Sequence, residues 1–352
     1  MKFKPHIQEI QRYIVNDEDR SGCLRLDKNE YNVDLPAEIL DQLRGCVTSY
    51  VVQAYPSTYG TLSTASKLLD YGNQDGILLT PGSDYGLKLC YEALLEPGDK
   101  VGLPYPTYAM NEVFAKLGNH PIVNFEYGPN LQIKADALFA GLDEISMFVL
   151  ANPNQPTGRL ETDALIQKLV AECRTRDIWL VVDEAYFEFS GYTAAKYIAE
   201  YPNLIVLRSF SKGYGMAGLR LGAALSQPNN IRYLGKAMPV YAIDAFALAA
   251  LEVLLGNQAY FRQVQSDLRD ARTTIETFYN ARGCRALPSD TNFVMVESNS
   301  LFDTNLYISE LKKRNILIRG PWRKHPYTDA FRVTTSSPAN IEILKKVTAE
   351  IL

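Results

Sequence analysis

The chain has 352 residues, 47% hydrophobic and 22% charged, the balance of a globular protein with a sizeable core and, at ~150 residues per domain, about two domains. Thirty-six basic residues against 40 acidic ones leave a net charge of −4, which argues against a nucleic-acid partner. The five cysteines (Cys23, Cys46, Cys90, Cys173 and Cys284) form no CxxC pair, which argues against a metal site and fits a reducing compartment.

The first residues are polar and broken by Pro5, unlike a signal peptide, and no stretch reaches ~18 uninterrupted apolar residues. The expectation is a cytoplasmic protein with no membrane partner. Residues 77–80 (ILLT) read as a buried strand, followed by the turn Pro81-Gly82-Ser83 and a helix over 84–95. Residues 100–103 are a second strand, followed by Tyr105-Pro106-Thr107-Tyr108 and a helical run. Residues 147–151, 179–182 and 204–208 are further apolar strands. Strands alternating with helices imply an α/β fold with a mostly parallel central sheet. Ligands of such sheets bind beyond the carboxyl ends of the strands. A long helix over 257–279 follows. Strands at 292–296, 316–319 and 331–334 and helices over 304–314 and 338–351 then give a smaller α+β unit. The boundary falls near residues 245–260. The expected division is an N-terminal arm of 1–35 belonging to the small domain, a large domain of 36–250 and a small C-terminal domain of 251–352.

The polar residues after these strands carry the chemistry. Lys212 lies between Ser211 and Gly213 just past a buried strand, with Ser209 before it and Arg220 after it. A lysine in such a pocket forms a Schiff base with an aldehyde cofactor, and serine hydroxyls with an arginine hold a phosphate. Asp183, at the end of an apolar strand, calls for a cationic partner, which a protonated pyridine nitrogen would supply. Glu184 reads as structural. Tyr186 is placed to donate to a phenolate oxygen. Gly82-Ser83-Asp84 opens a helix whose N–H groups suit a phosphate, although the same letters make an ordinary N-cap. Asn152-Pro153-Asn154-Gln155 is a rigid turn presenting amides.

Together these segments resemble the fold-type I pyridoxal 5'-phosphate enzymes of aminotransferase class I/II, and most closely the histidinol-phosphate aminotransferase family. Lys4-Pro5-His6-Ile7 is similar to that family's opening, and Arg25-Leu26-Asp27-Lys28-Asn29-Glu30-Tyr31 to its early substrate loop. The resemblance implies that Lys212 is the Schiff-base lysine, that Asp183 pairs with the pyridinium and that Tyr186 bonds the cofactor's O3′. Tyr108 stacks on the ring, while Ser83, Asp84, Ser209, Ser211 and Arg220 surround the phosphate. Arg332 is the substrate's anion clamp, assisted by Arg319, with Asn29 and Tyr31 on the substrate side. Tyr55 reaches into the site of the partner subunit, so a homodimer with shared active sites is implied. Three departures from the family pattern bear on substrate, one of them Thr335-Ser336-Ser337 in place of a Val-Gly-Thr type sequence after Arg332. Gln155 stands where an asparagine is common, leaving open which amide of 152–155 bonds O3′. Asp244 stands where an amide or small polar residue is common; it reads as a helix cap, or as a partner for a cationic substrate tail.

The activity so implied is transfer of an amino group from an amino acid or amino-alcohol phosphate to an oxo acid such as 2-oxoglutarate. An alternative is elimination, decarboxylation or cyclisation on the same fold. A non-catalytic or regulatory protein fits less well, because Lys212, Asp183 and Arg332 are intact and the family-like sequence begins at residue 4, leaving no room for a preceding DNA-binding domain.

Overall fold

Two sheets organise the chain in the computed structural model, which describes residues 3–10, 19–58, 60–299, 303–323 and 327–351. The first holds β2 (Ile77–Thr80), β3 (Val101–Tyr105), β4 (Ile122–Glu126), β5 (Met147–Ala151), β6 (Trp179–Asp183), β7 (Leu204–Ser209) and β8 (Gly222–Leu225), in the order β2-β8-β7-β6-β5-β3-β4. The pairings among β4, β3, β5, β6 and β7 are parallel, and β8 runs antiparallel between β2 and β7. β5 and β7 are buried at every position, as expected of strands covered on both faces by helices.

The second sheet has the order β1-β11-β12-β10-β9, with β1 (Leu24–Leu26), β9 (Arg285–Ala286), β10 (Phe293–Glu297), β11 (Ile316–Trp322) and β12 (Ala330–Thr334). β1 pairs in parallel with β11, which draws the N-terminal segment into the C-terminal sheet. The strands read from sequence are present, 77–80 and 147–151 with the same bounds and the others within three residues at their ends. Those not foreseen are β1, β4, β8 and β9.

The helix Gln258–Asn280 spans both units. Phe261, Val264 and Leu268 join the core around the large sheet, while Ala271, Ile275, Phe278 and Tyr279 join that of the second. Each fully buried Leu, Ile or Phe contributes about 1.5–3 kcal/mol, so one rigid rod ties the two sheets together. Behind the site, Glu184 is fully buried. It accepts from Arg208 Nε at 2.7 Å, from the Ala194 N–H at 2.6 Å and from Thr193 Oγ1 at 2.9 Å, the structural role its sequence position implied.

Candidate active site

The carboxyl ends of β5, β6 and β7 lie side by side, with Ala151 in register with Asp183 and Asp183 with Leu207. Past these ends opens a cavity of about 690 Å³ whose opposite wall comes from residues 27–30, β11 and β12. Asp183, Tyr186, Ser209, Ser211, Lys212, Ser83, Asp84, Tyr108, Gln155, Arg220, Asn29, Arg319 and Arg332 all line it. A separate concavity of about 850 Å³, lined by Lys4, Lys88, Lys236 and His120 among others, contains none of them.

The chain leaves β7 through a turn in which the Ser211 N–H donates to Ser209 Oγ at 3.1 Å. Lys212 Nζ then donates to the backbone carbonyls of Lys28 at 3.1 Å and Asn29 at 3.0 Å. Burial, followed by the nearby Arg332 charge, pushes this amine down to about 8, against the pull of Asp84 and Glu30. Asp183 ends β6 and is 7% exposed. Its Oδ1 accepts the Ala185 N–H at 3.1 Å, while burial and then the Asp84 charge push the carboxyl up to about 7. The Tyr186 hydroxyl accepts from Asn29 Nδ2 at 2.8 Å, leaving its own proton free to donate, and burial pushes the phenol up to about 12.

At the far end, the helix Ser83–Leu94 begins with its N-terminus at the cavity. Gly82 precedes it at φ 81°, and a Cβ there would lie 2.6 Å from the Arg220 guanidinium, so only glycine lets that side chain lie across the helix start. Arg220 Nη2 stands 3.6 Å from Asp84. A helix N-terminus, three serines and an arginine form a donor set for a phosphate. A buried carboxyl suits a protonated ring nitrogen, and Tyr186 suits a phenolate oxygen. The residues present fit pyridoxal phosphate.

On the opposite wall Arg332, 5% exposed on β12, donates through Nη2 to the Asp27 carbonyl at 2.6 Å. Arg319, on β11, is its cross-strand neighbour and is exposed.

Several residues expected at the site stand elsewhere. Asn154 spends its side chain inside the loop: Oδ1 accepts from Thr107 Oγ1 at 3.0 Å, and Nδ2 donates to the Pro106 carbonyl and Thr157 Oγ1, each at 3.0 Å. Asn152 Oδ1 accepts the Glu161 N–H at 2.8 Å. Of the amides at 152–155, Gln155 is the one that lines the cavity. Tyr31 is a core residue, 8% exposed, with its ring against Gly215, where a Cβ would come within 2.6 Å. Asp244 is the N-cap of the helix Ala245–Gly256, accepting the Ala247 N–H at 2.7 Å, and lies outside the cavity of its own chain, as does Tyr55. Tyr55 is 76% exposed and stacks on Tyr241 with ring centres 4.3 Å apart. The sequence reading also passed over part of the lining: Arg20, Ile308, Lys312 and Trp322. Their places depend on how the second sheet faces the first, and no local pattern encodes that.

Among the described residues no helix is long and apolar enough to cross a membrane, and no cluster of His, Cys, Asp and Glu could hold a metal ion.

The model of the aminotransferase class I and II family matches residues 21–347. Histidinol-phosphate aminotransferases from Caldanaerobacter subterraneus subsp. tengcongensis and Thermoanaerobacter pseudethanolicus are 31% and 30% identical over 339 and 321 residues. These alignments cover 93% and 89% of this chain and 93% and 88% of theirs. The solved histidinol-phosphate aminotransferase from Sinorhizobium meliloti, in complex with pyridoxal-5'-phosphate, matches with a TM-score of 0.88 at 24% identity, over 99% of this chain and 97% of that one. L-threonine-O-3-phosphate decarboxylase from Porphyromonas gingivalis matches at 0.79 with 20% identity, over 93% and 98%. These two likenesses show the fold. The relatives near 30% identity and the family match over most of the chain go further: the chain belongs to aminotransferase class I and II, as a fold-type I, pyridoxal-phosphate-dependent aminotransferase of the histidinol-phosphate aminotransferase-like family.

Proposed function

We propose that this enzyme moves an amino group from an amino acid or amino-alcohol phosphate carrying an anionic group to an oxo acid such as 2-oxoglutarate. The observation that carries the reading is the facing of Lys212 and Arg332 across one cavity, both tied to the same turn, residues 27–30. When bound, pyridoxal phosphate supplies an aldehyde for the donor's amine and a ring that takes up the electron pair left on the donor's α-carbon. Ser83, Ser209, Ser211, Arg220 and the start of helix Ser83–Leu94 hold its phosphate. Tyr108 covers the ring, Asp183 keeps the ring nitrogen protonated, and Tyr186 and Gln155 bond its phenolate oxygen. Lys212 Nζ, with its lowered proton affinity, removes the proton from the donor's α-carbon and returns one to the acceptor's. Arg332, assisted by Arg319, holds the substrate's carboxylate or phosphate in a planar fork.

The working unit in this reading is a cytoplasmic homodimer. Tyr50, Val52, Tyr55, Val240 and Tyr241 are all more than half exposed, an apolar surface that a second copy would cover while receiving Tyr55 into its own site. Five free cysteines suit a reducing compartment. Decarboxylation or cyclisation would need the same base and acid, and the relatives near 30% identity are aminotransferases, which favours transfer.

The test incubates the cofactor-loaded enzyme with histidinol phosphate, aromatic amino acids, arginine or hydroxyarginine, with and without 2-oxoglutarate, and measures glutamate. Glutamate that requires both donor and Lys212 supports the reading. Release of carbon dioxide or of an eliminated group without glutamate would overturn it.

A further inference from the structure

Residues 27–30 hold several functional groups at once. The Asp27 carbonyl accepts from Arg332, the Lys28 and Asn29 carbonyls accept from Lys212, and the Asn29 amide donates to Tyr186. Asn29 sits at φ 55°, a left-handed conformation that its surroundings must maintain. The two ends of this turn are gripped by one side chain. Arg20 sets Nη1 and Nη2 on the two carboxylate oxygens of Glu30 at 3.0 and 3.1 Å, a bidentate fork, and Nη2 also donates to Asp27 Oδ1. The Arg20, Asp27 and Glu30 side chains are 15%, 15% and 24% exposed. Arg25 approaches Glu30 only to 3.7 Å and is 44% exposed, so Arg20 is the principal counter-charge.

We propose that Arg20 is a positioning residue: by pinning Asp27 and Glu30 it fixes the turn that holds Lys212 and Arg332, and its single positive charge offsets part of the negative charge that these two carboxylates bring to the cavity where Arg332 would meet a substrate anion. The inference rests on the roles proposed above for Lys212 and Arg332. Lys212 is faced by Asp183 from β6, Asp84 from helix Ser83–Leu94, Glu30 from the turn, Arg220 from the loop after β7 and Arg332 from β12. Of these, Glu30 is the one whose charge Arg20 directly masks. Without Arg20, Glu30 keeps only the longer, more exposed contact with Arg25, and its less compensated negative charge holds a proton on Lys212.

The test uses full-length Arg20→Met, Arg20→Lys and Glu30→Gln. In cofactor-free protein, acetic anhydride labelling of Lys212 against pH, read by peptide mass spectrometry, reports the amine's titration midpoint. Arg20→Met raises it by about one pH unit, Arg20→Lys returns it toward wild type, and Glu30→Gln moves it the opposite way. In cofactor-loaded protein, Arg20→Met raises KM for an anionic donor about tenfold with a much smaller change in kcat. An unmoved midpoint and KM in Arg20→Met overturn the proposal. So do equal shifts in Arg20→Met and Glu30→Gln, because a merely structural role treats the two alike. Should Arg20→Met not fold, Arg20→Lys and Glu30→Gln decide by the sign of the midpoint shift. A wild-type enzyme that forms no glutamate overturns the function proposed above, while the labelling of cofactor-free protein still reads the role of Arg20.

Discussion

Replacing Asp183 with asparagine removes a carboxyl that the fold holds at a disadvantage until a cation meets it. Burial, the Asp84 charge and the Glu184 charge raise its pKa from 3.8 to about 7, with Lys212 pulling the other way. Ionising this carboxyl in the folded, cofactor-free protein therefore costs on the order of 4 kcal/mol. Because the folded value is the raised one, the destabilisation is absent below pH 3.8, grows as pH rises, and is complete above about 7. Between pH 5 and pH 8 it grows by roughly 3 kcal/mol. For a chain of 352 residues this corresponds to about 4 °C in melting temperature. Calorimetry of cofactor-free wild type and Asp183→Asn across that range should show the variant gaining on wild type by that amount. Adding pyridoxal phosphate at pH 8 should then reverse the order, since only the carboxylate meets a protonated ring nitrogen with an opposite charge. A gap that stays constant from pH 5 to pH 8 would refute the account of Asp183 as a desolvated acid awaiting a cation.

Four further outcomes follow from the geometry. Glu184→Ala strands the Arg208 guanidinium, 2% exposed, without its carboxylate, and should lower unfolding stability by about 3–5 kcal/mol in denaturant titration. Gly82→Ala puts a methyl group 2.6 Å from Arg220 at a positive φ and should weaken cofactor binding about tenfold by equilibrium dialysis; undiminished affinity would remove Gly82 from the phosphate cradle. Arg332→Ala should raise KM for an anionic donor about a hundredfold, with Arg332→Lys recovering only part of the loss, as steady-state kinetics would show. Val240→Asp places a charge on a residue 86% exposed on the apolar surface; on the proposed homodimer, sedimentation should find wild type dimeric and the variant monomeric and inactive.

What could be read from the sequence follows from physics that is local to it. β5, β6 and β7 are legible because strands buried on both faces are written as unbroken apolar runs, and their polar successors stand out against that background. Lys212, Asp183 and Tyr186 are therefore visible as residue types at or just past strand ends, whereas Arg332, in the middle of β12, is marked only by the family resemblance. β8 is Gly-Ala-Ala-Leu, whose three small residues lack the bulky apolar run that marks the equally short β2, and β1 is only three residues, too short for a period. β4 is an edge strand whose alternation, Val123 and Phe125 against the exposed Asn124 and Glu126, runs over only four residues and is preceded by the apolar Ile122. The amides at 152–155 are chemically equivalent on paper. Only the path of the loop decides that Asn154 turns inward to Pro106 and Thr157 while Gln155 faces the cavity. Asp244 carries both signals, and the structure shows the first of them, a helix cap that accepts the Ala247 N–H. Arg20 had no signal at all, because its meeting with Asp27 and Glu30 exists only once the turn is folded.

The pairing of β1 with β11 also sets an order of events during synthesis. Leu24 leaves the ribosome early, and its partner Ile316 is made only near the end. At ~5–20 residues per second, roughly 15–60 s separate the two. All seven strands of the large sheet have been made by Leu225, so the end of the cavity lined by Ser83, Ser209, Ser211 and Arg220 can close first. The N-terminal segment, bearing the turn that grips Lys212 and Arg332, passes that interval as a strand with no edge to join, open to pairing with a neighbouring chain on the same message.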